Sequence, residues 1–239
     1  MALKFYRNFS SPIRALSFDL DDTLYYNEEV IHIAEQKQFE FLCRKIPDIK
    51  SAGIAPWLLL KHQSLSRNPS LKHDVTLWRK ASIELGLAPY KINDLDRSKL
   101  IEQAFNVFYQ ARSNFQIEDK TFKVLDALKS KYPLVAVTNG NADINRLGLA
   151  DYFVGYYRAG ANGNKMKPHP DMLNMAANHL DVKLSSILHI GDNIKSDLKS
   201  AQNATTNSFW YNPAKEPMSV GASLPNAEYS DLDDLLQLL

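Results

Sequence analysis

Short apolar runs that end in polar residues recur along the chain. Ala15–Phe18, Leu134–Val137 and Ile187–Ile190 are mostly apolar, and each is followed directly by an acid, a hydroxyl or a glycine. Runs of this kind, bounded by turn residues, are typical of strands that are buried on both faces. Asn207–Tyr211 has the same character. We therefore predict an α/β fold with an open, parallel, Rossmann-like sheet, in which the carboxyl ends of the strands share one edge.

The stretch 27–114 has a different pattern, with apolar residues at helical rather than alternating spacing. Helical faces are indicated by Ile31, Ala34, Phe39 and Leu42, by Trp57, Leu58, Leu60 and Leu65, by Val75, Trp78, Ala81 and Leu85, and by Leu100, Ala104, Phe105 and Phe108. We predict that residues 1–26 and 115–239 form the α/β core and that 27–114 is an inserted helical domain. A final helix is predicted over Tyr229–Leu239.

The first strand leads into the acidic segment Asp19-Leu20-Asp21-Asp22-Thr23. If the extended backbone continues, Asp19 and Asp21 leave the same face, because side chains alternate along a strand. Two carboxylates this close repel each other unless a proton or a cation compensates. The pair also suits chemistry, since one carboxylate can attack, the other can transfer a proton, and a divalent ion can bind both. The alternative is a turn or a helix cap.

The next two polar segments offer groups that bind anions. Thr138, Asn139 and Gly140 follow the run Leu134–Val137. A hydroxyl and the following N–H groups suit an anion, although the same residues also make an ordinary turn. Lys167 precedes Pro168, which restricts the residue before it to an extended backbone. An ammonium held in this way neutralises a phosphate or a crowded carboxylate pair. Lys165 is the more solvated alternative.

The last polar segment carries two further acids. Asp192 follows Gly191, and Asp197 comes five residues later, at the expected start of a helix. Magnesium takes oxygen ligands and usually binds one or two carboxylates together with waters. We therefore predict Asp192 as a ligand and Asp197 as an acid that supports it. The alternative for Asp197 is simple compensation of the helix dipole.

The order of these segments resembles the signature motifs of the haloacid dehalogenase (HAD) superfamily: DxDxT, an apolar run ending in Thr-Asn, Lys-Pro, and Gly-Asp-x-x-x-x-Asp. The resemblance implies a magnesium-dependent phosphatase that acts through an aspartyl-phosphate, and a helical insert that serves as a C1-type cap. Family dehalogenases lack an acid at the position of Asp21, so the resemblance favours a phosphatase. The implied roles are nucleophile for Asp19, general acid and base for Asp21, and phosphate binding for Thr138, Asn139 and Lys167. Mg²⁺ binding is implied for Asp19, Asp192 and the backbone carbonyl of Asp21, and Asp197 is included in the predicted metal site as the acid that supports it.

Segments outside the motifs resemble the bacterial flavin mononucleotide phosphatases of this superfamily. They include His73–Arg79, Pro133–Ala142 and Arg158–Gly160. That group is associated with hydrolysis of 5-amino-6-(5-phosphoribitylamino)uracil in riboflavin biosynthesis, and the resemblance implies one or both of these substrates. An aromatic side chain can stack on such a ring. The residues predicted to contact the organic part are Tyr25 and at least one of His73, Trp78 and Arg79. Alternatively, Trp78 packs inside the cap and Arg79 is solvated.

Composition agrees with a metabolic enzyme. The 239 residues carry a formal net charge of +1, so no strong field attracts nucleic acid or a membrane surface. The lone Cys43 cannot form an intramolecular disulfide, which suits a reducing, cytoplasmic compartment. We expect a small phosphate ester as the partner, with no nucleic acid, membrane or obligate protein partner. The remaining alternatives are a phosphatase of sugar phosphates or nucleotides, a phosphomutase, a phosphorelay receiver-like protein and a silent binding protein.

Overall fold

A single sheet runs through the part of the chain that the computed structural model describes, residues 3–219 and 221–239. The strands are β1 Lys4–Phe5, β2 Ala15–Phe18, β3 Leu134–Thr138, β4 Gly155–Arg158, β5 Ile187–Gly191, β6 Asn207–Tyr211 and β7 Ala227–Tyr229. Their order across the sheet is β1-β7-β6-β5-β2-β3-β4, and β1 with β7 is antiparallel while the other neighbouring pairs are parallel. The predicted parallel α/β sheet is confirmed.

Strand β2 lies in the middle of this sheet, between β5 and β3. Each of its residues is buried, and Ser17 lies opposite Val135 on one side and His189 on the other. A strand covered on both faces is favoured by a continuous apolar run rather than by alternation. Because β2, β3 and β5 are parallel, their carboxyl ends meet at one edge, where ligands bind in open α/β sheets.

The helices divide between two compact units. They are α1 Glu28–Lys45, α2 Ala55–Arg67, α3 Val75–Leu87, α4 Asp94–Arg112, α5 Asp119–Lys129, α6 Asp171–Leu180 and α7 Lys199–Ala204. The unit that we call the sheet unit comprises Met1–Tyr26, Gln116–Gly140 and Gly148–Leu239. The unit that we call the helical unit comprises Asn27–Phe115 and Asn141–Leu147, and it contains α1 to α4.

The sheet unit is held together by apolar helix faces against the strands. Met172, Leu173 and Ala176 of α6 pack against Val135 and Val137 of β3, and all of them are buried. Pro170 occupies the position before α6, as expected for a proline at a helix start. This packing fixes the loop before α6, which carries Lys167.

The helical unit has its own core. Leu42 of α1, Ile83 and Leu87 of α3, and Phe105 of α4 are buried together. Helix α3 begins at a cap, because the side chain of Asp74 accepts hydrogen bonds from the N–H groups of Thr76 and Leu77. The segment Asn141–Leu147, which sequence analysis placed in the core, clusters with this unit. Asn141 accepts a hydrogen bond from Arg112 Nη1 at 2.7 Å.

The predicted final helix over Tyr229–Leu239 is wrong. Ala227–Tyr229 is strand β7, which pairs with β6, and a 3₁₀-helix follows at Leu232–Leu238. Leu232 and Leu235 are both buried, and a spacing of three residues fits the 3₁₀ repeat as well as one face of an α-helix. None of the helices in the described residues combines the length and apolar character required to cross a membrane.

Candidate active site

The two acids of the first motif lie in a turn rather than in a strand. Strand β2 ends at Phe18, and the N–H of Asp19 donates to the carbonyl of Ile190 in β5 at 2.9 Å. The chain then turns at Asp22, whose φ of 61° lies in the left-handed region that aspartate tolerates better than most residues. The backbone from Asp19 to Asp21 is therefore part of a turn, and the extended segment that the sequence predicted there ends at Phe18. Both Asp19 and Asp21 nevertheless line the same cavity, of about 410 Å³.

Lys167 is the central cation of this cavity. Its side chain is 1% exposed, and Nζ donates to Asp19 Oδ1 at 2.5 Å, to Asp197 Oδ1 at 2.6 Å and to the carbonyl of Val137 at 2.6 Å. These acceptors use every N–H of the ammonium. Asn139 holds the backbone of Lys167, since its side chain accepts from the N–H at 2.7 Å and donates to the carbonyl at 3.1 Å. The ammonium is therefore held rigidly beside Asp19.

Asp197 is fixed by a chain of buried polar groups. Besides Lys167, its carboxylate contacts His189 Nε2 at 3.2 Å, and it accepts hydrogen bonds from the N–H of Asn193 at 3.1 Å and from Ser196 Oγ at 3.2 Å. His189 Nδ1 lies 2.9 Å from Ser17 Oγ. The assignment that satisfies every group is a neutral ring in which Nε2–H donates to Asp197 and Nδ1 accepts from Ser17.

Two glycines let the backbone approach these carboxylates. A Cβ on Gly191 would lie 2.4 Å from Asp197 Cγ, and a Cβ on Gly140 would lie 2.2 Å from Asp21 Oδ2. Such separations are far below van der Waals contact, so any side chain at either position would displace the acid. The N–H of Gly140 also donates to Thr138 Oγ1 at 2.9 Å. Thr138 thus fixes the loop that lies against Asp21.

The electrostatics of the site are set by burial and by the crowding of charges. Burial disfavours the charge of Lys167, but Asp19 and Asp197 outweigh it and raise the pKa of the ammonium. Burial would likewise neutralise Asp197, but Lys167 and His189 outweigh it and hold the pKa of that carboxyl well below its ordinary value. Burial lowers the pKa of His189 and keeps the ring neutral. Lys167 and Asp197 are therefore a charged pair.

Asp19 and Asp192 are in a different state from Asp197. Burial raises the pKa of Asp19 well above its ordinary value, with Lys167 opposing the shift and Asp197 adding to it. Burial, reinforced by the charge of Asp197, raises the pKa of Asp192 to about 7. Asp192 is held by Thr23 Oγ1, which donates to Oδ1 at 3.2 Å, and its backbone carbonyl accepts from Trp210 Nε1 at 2.7 Å. These two carboxyl groups are the ones that a further cation would favour in the ionised form.

The donor set fits a magnesium ion. Asp19, Asp192 and Asp197 offer carboxylate oxygens that lie within 4.8 Å of one another. Among the described residues that line the cavity are five aspartates, while Lys167 supplies the ammonium, so the site has an excess of negative charge. Hard oxygen ligands with such an excess suit Mg²⁺. The oxygens of Asp197 already accept from Lys167, His189, Asn193 and Ser196, so Asp19 and Asp192 are the better direct ligands.

The structure also places the residues predicted to select the substrate. Tyr25 belongs to the sheet unit, is 8% exposed, and donates from its hydroxyl to Asp21 Oδ1 at 2.8 Å. His73, Trp78 and Arg79 belong to the helical unit. Trp78 Nε1 donates to the carbonyl of Lys61 at 2.6 Å, so its polar atom is occupied within that unit.

Arg79 is buried, contrary to the alternative in which it is solvated. It is 9% exposed, and its Nη2 lies 3.0 Å from Glu35 Oε1 in an ion pair. Its Cζ lies 3.5 Å from the centre of the Phe108 ring. It lines a small cavity between α1, α2 and α3. Burial lowers the pKa of its guanidinium, and Glu35 opposes that shift. This cavity lies wholly within the helical unit.

Sequence reasoning missed His189, Ser17 and the hydroxyl contact of Tyr25. The available signal for His189 was a single polar ring inside an otherwise apolar strand. Ser17 carried the same signal in β2, but only the register of β2 with β5 shows that the two side chains meet. A pair that lies 172 positions apart in the chain leaves no local pattern.

The fold, the acid turn and the buried lysine define a class. A family model described as haloacid dehalogenase-like hydrolase matches residues 13–205, and the chain belongs to this family. Phosphatases are among its relatives. This chain is 35% identical to the 5-amino-6-(5-phospho-D-ribitylamino)uracil phosphatase YigB of Escherichia coli over 240 residues, which cover 99% of this chain and 100% of that protein.

Two other relatives broaden the comparison. A glyceraldehyde 3-phosphate phosphatase of Pyrococcus furiosus is 24% identical over 95% of this chain and 92% of that protein. A crystal structure of a 2-haloacid dehalogenase from Pseudomonas syringae superposes with a TM-score of 0.87 at 30% identity, over 95% of this chain and 97% of that one. The likeness to YigB and the presence of the acid Asp21 place this chain among the phosphatases of the family. The predicted superfamily is confirmed.

Proposed function

We propose that the protein is a magnesium-dependent phosphomonoesterase that acts through an aspartyl-phosphate on Asp19. The observation that carries the proposal is the buried Lys167 ammonium, which lies 2.5 Å from Asp19 Oδ1 in a cavity that Asp21 also lines. An ammonium in this position orients the nucleophile and offsets charge on the incoming phosphoryl group. The second acid, Asp21, supplies the proton that an alkoxide leaving group requires.

The residues act in two half-reactions. An Asp19 carboxylate oxygen attacks phosphorus, while Asp21 donates its proton to the ester oxygen as the P–O bond breaks. In the second half-reaction, the Asp21 carboxylate removes a proton from water as the water oxygen attacks phosphorus. The bond between Asp19 and phosphorus breaks, inorganic phosphate leaves, and the Asp19 carboxylate is restored. Thr138 and Lys167 orient the phosphoryl group, and Asn139 contributes by holding the backbone of Lys167. Asp19, Asp192 and the backbone carbonyl of Asp21 would hold Mg²⁺, which would offset the charge of the phosphate oxygens.

The substrate that we propose is flavin mononucleotide, 5-amino-6-(5-phosphoribitylamino)uracil, or both. Support comes from the relative named for the second compound, which is similar to this chain over its full length. We further propose that the helical unit is the cap, which closes over the site and excludes water. Tyr25 and the residues His73, Trp78 and Arg79 remain predicted contacts of the organic part of the substrate.

A dehalogenase is the second candidate, because a solved 2-haloacid dehalogenase is similar to this chain over nearly its whole length. Halide displacement needs a carboxylate nucleophile such as Asp19, but it does not need an acid to protonate the leaving group. The buried hydroxyl of Tyr25 donates a hydrogen bond to Asp21, and the cavity is rich in acids. Both features favour a site that transfers a proton and binds a cation. We therefore favour phosphate ester hydrolysis over halide release.

The test is release of inorganic phosphate and of halide by the same preparation. The protein is first freed of metal by exhaustive chelation and then assayed with and without added Mg²⁺. The substrates compared are flavin mononucleotide, the ribitylaminouracil phosphate, sugar phosphates, nucleotides and a 2-haloacid. We expect Mg²⁺-dependent phosphate release, highest kcat/KM for the flavin or pyrimidine compounds, and no halide. Asp19→Asn should abolish turnover, and exposed Asp151→Asn is the matched control. Phosphate release that persists without divalent metal, or halide release that exceeds it, would contradict the proposal.

Substrate contact by the helical unit has a separate test. His73→Ala should lower kcat/KM for flavin mononucleotide much more than for a small aryl phosphate, because the aryl ester lacks the large organic part. Equal losses for the two substrates would show that His73 supports the fold instead of reading the ring.

A further inference from the structure

A closed turn brings Tyr25 back to Asp21. The N–H of Asp22 donates to the carbonyl of Tyr25 at 2.8 Å, and the N–H of Leu24 donates to the carbonyl of Leu20 at 2.9 Å. Thr121 Oγ1 of α5 donates to the carbonyl of Leu24 at 3.1 Å and ties the turn to the sheet unit. The turn is therefore fixed by backbone bonds at several points, and a residue four positions after Asp21 faces it.

The hydroxyl of Tyr25 donates a hydrogen bond to the Asp21 carboxyl group. Its oxygen lies 2.8 Å from Asp21 Oδ1, and the residue is 8% exposed. A buried tyrosine hydroxyl needs a partner, and a bond to an ionised carboxylate is stronger than one to a neutral acceptor. The adjacent Tyr26 is 68% exposed, so two neighbouring tyrosines have opposite environments.

Gly140 confines the other oxygen of the same carboxyl group. A Cβ at this position would lie 2.2 Å from Asp21 Oδ2, and the N–H of Gly140 is itself held by Thr138 Oγ1. Oδ1 is thus bound by a hydroxyl, while Oδ2 lies against backbone that carries no side chain. Two independent elements, the turn after β2 and the loop after β3, set the position of one carboxyl group.

We propose that Tyr25 is a positioning residue for proton transfer by Asp21, an inference that rests on the proposed function. As the P–O bond breaks, its electron pair passes to the ester oxygen, which takes the proton of Asp21 and leaves as an alcohol. Asp21 becomes a carboxylate, and the Tyr25 O–H, which keeps its own proton, donates to it. The water of the second half-reaction later returns a proton to Asp21. The hydroxyl thus complements the form of Asp21 that the first half-reaction creates.

The test is Tyr25→Phe, which removes the hydroxyl and keeps the buried ring, with Tyr26→Phe as the matched control. The measured quantity is kcat/KM, which reports the first half-reaction, for an alkyl phosphate and for 4-nitrophenyl phosphate. Because an aryl oxide leaves without a proton, we expect Tyr25→Phe to lower the alkyl value about tenfold and the aryl value less than about threefold. Tyr26→Phe should change neither.

A double-mutant cycle separates positioning from a merely structural role. In the Asp21→Asn background the Tyr25→Phe change should cost little further rate on the alkyl phosphate, because the group that it positions is gone. Gly140→Ala, which displaces Asp21 from the opposite side, should likewise lower kcat/KM more for the alkyl phosphate than for the aryl phosphate. Equal losses on both substrates, or additive losses in the cycle, would overturn the proposal. A wild-type protein without phosphatase activity would instead overturn the proposed function.

Discussion

Replacement of Asp192 by Asn should stabilise the metal-free protein while removing its response to magnesium. Burial raises the pKa of Asp192 to about 7 from an ordinary 3.8. One pKa unit corresponds to about 1.4 kcal/mol, so the ionised carboxylate costs the folded state about 4 kcal/mol at pH 8 before screening. The side chain is partly exposed, and solvent screening reduces this to about 1–2 kcal/mol. The asparagine keeps an oxygen for Thr23 and carries no charge.

The sign of the pH dependence follows from the raised pKa. Below about pH 4 the Asp192 carboxyl is protonated in both the folded and the unfolded chain, so the substitution has little effect there. Between about pH 4 and 7 only the folded state keeps the proton, and the wild type loses stability as the pH rises. The advantage of Asp192→Asn should therefore grow through this window and stay constant above it.

The assay is thermal unfolding of both proteins with and without Mg²⁺ at pH 5 and pH 8. At pH 8 without metal, Asp192→Asn should unfold about 2–8 °C above the wild type. Added Mg²⁺ should raise the wild-type Tm by mass action and leave that of the variant nearly unchanged. The exposed Asp151→Asn serves as the control for removal of an acid. An equal or lower metal-free Tm for Asp192→Asn, or an undiminished Mg²⁺ response, would refute the reasoning.

Three other substitutions test the remaining acids and their support. Asp21→Asn should lower kcat/KM for an alkyl phosphate by about 10²–10⁴-fold and less for an aryl phosphate, so equal defects would count against Asp21 as the acid. Lys167→Met leaves buried carboxylates unpaired and should cost about 3 kcal/mol in a denaturant melt at pH 8. The cost should fall as the pH is lowered, because burial raises the pKa of Asp19 and favours its neutral form. Gly191→Ala should displace Asp197, lower the free energy of unfolding by about 1–3 kcal/mol and remove most of the turnover. A fully active, equally stable variant would instead show that Asp197 tolerates the shift.

Local pattern was sufficient for the strands that carry the site and for the helical insert. A strand buried on both faces needs an uninterrupted apolar run, and a helix packed on one side needs apolar residues at helical spacing, so both leave a signature within a few residues. The order of the polar segments after those runs was equally visible, which is why Asp19, Thr138, Lys167 and Asp192 could be placed at one sheet edge. That edge is common to the parallel strands whatever the details of the loops.

What the tertiary structure alone decided is which of these groups touch. The three acceptors of Lys167 lie on segments far apart in the chain, and the meeting of Ser17 with His189 depends on the register of β2 against β5. The Tyr25 contact with Asp21 depends on a turn that ends the strand at Phe18, and sequence alternation predicted an extended backbone there. Hydrogen bonds act over about 3 Å, whereas a periodic pattern reports only which face is buried, so contact geometry has no counterpart in the pattern.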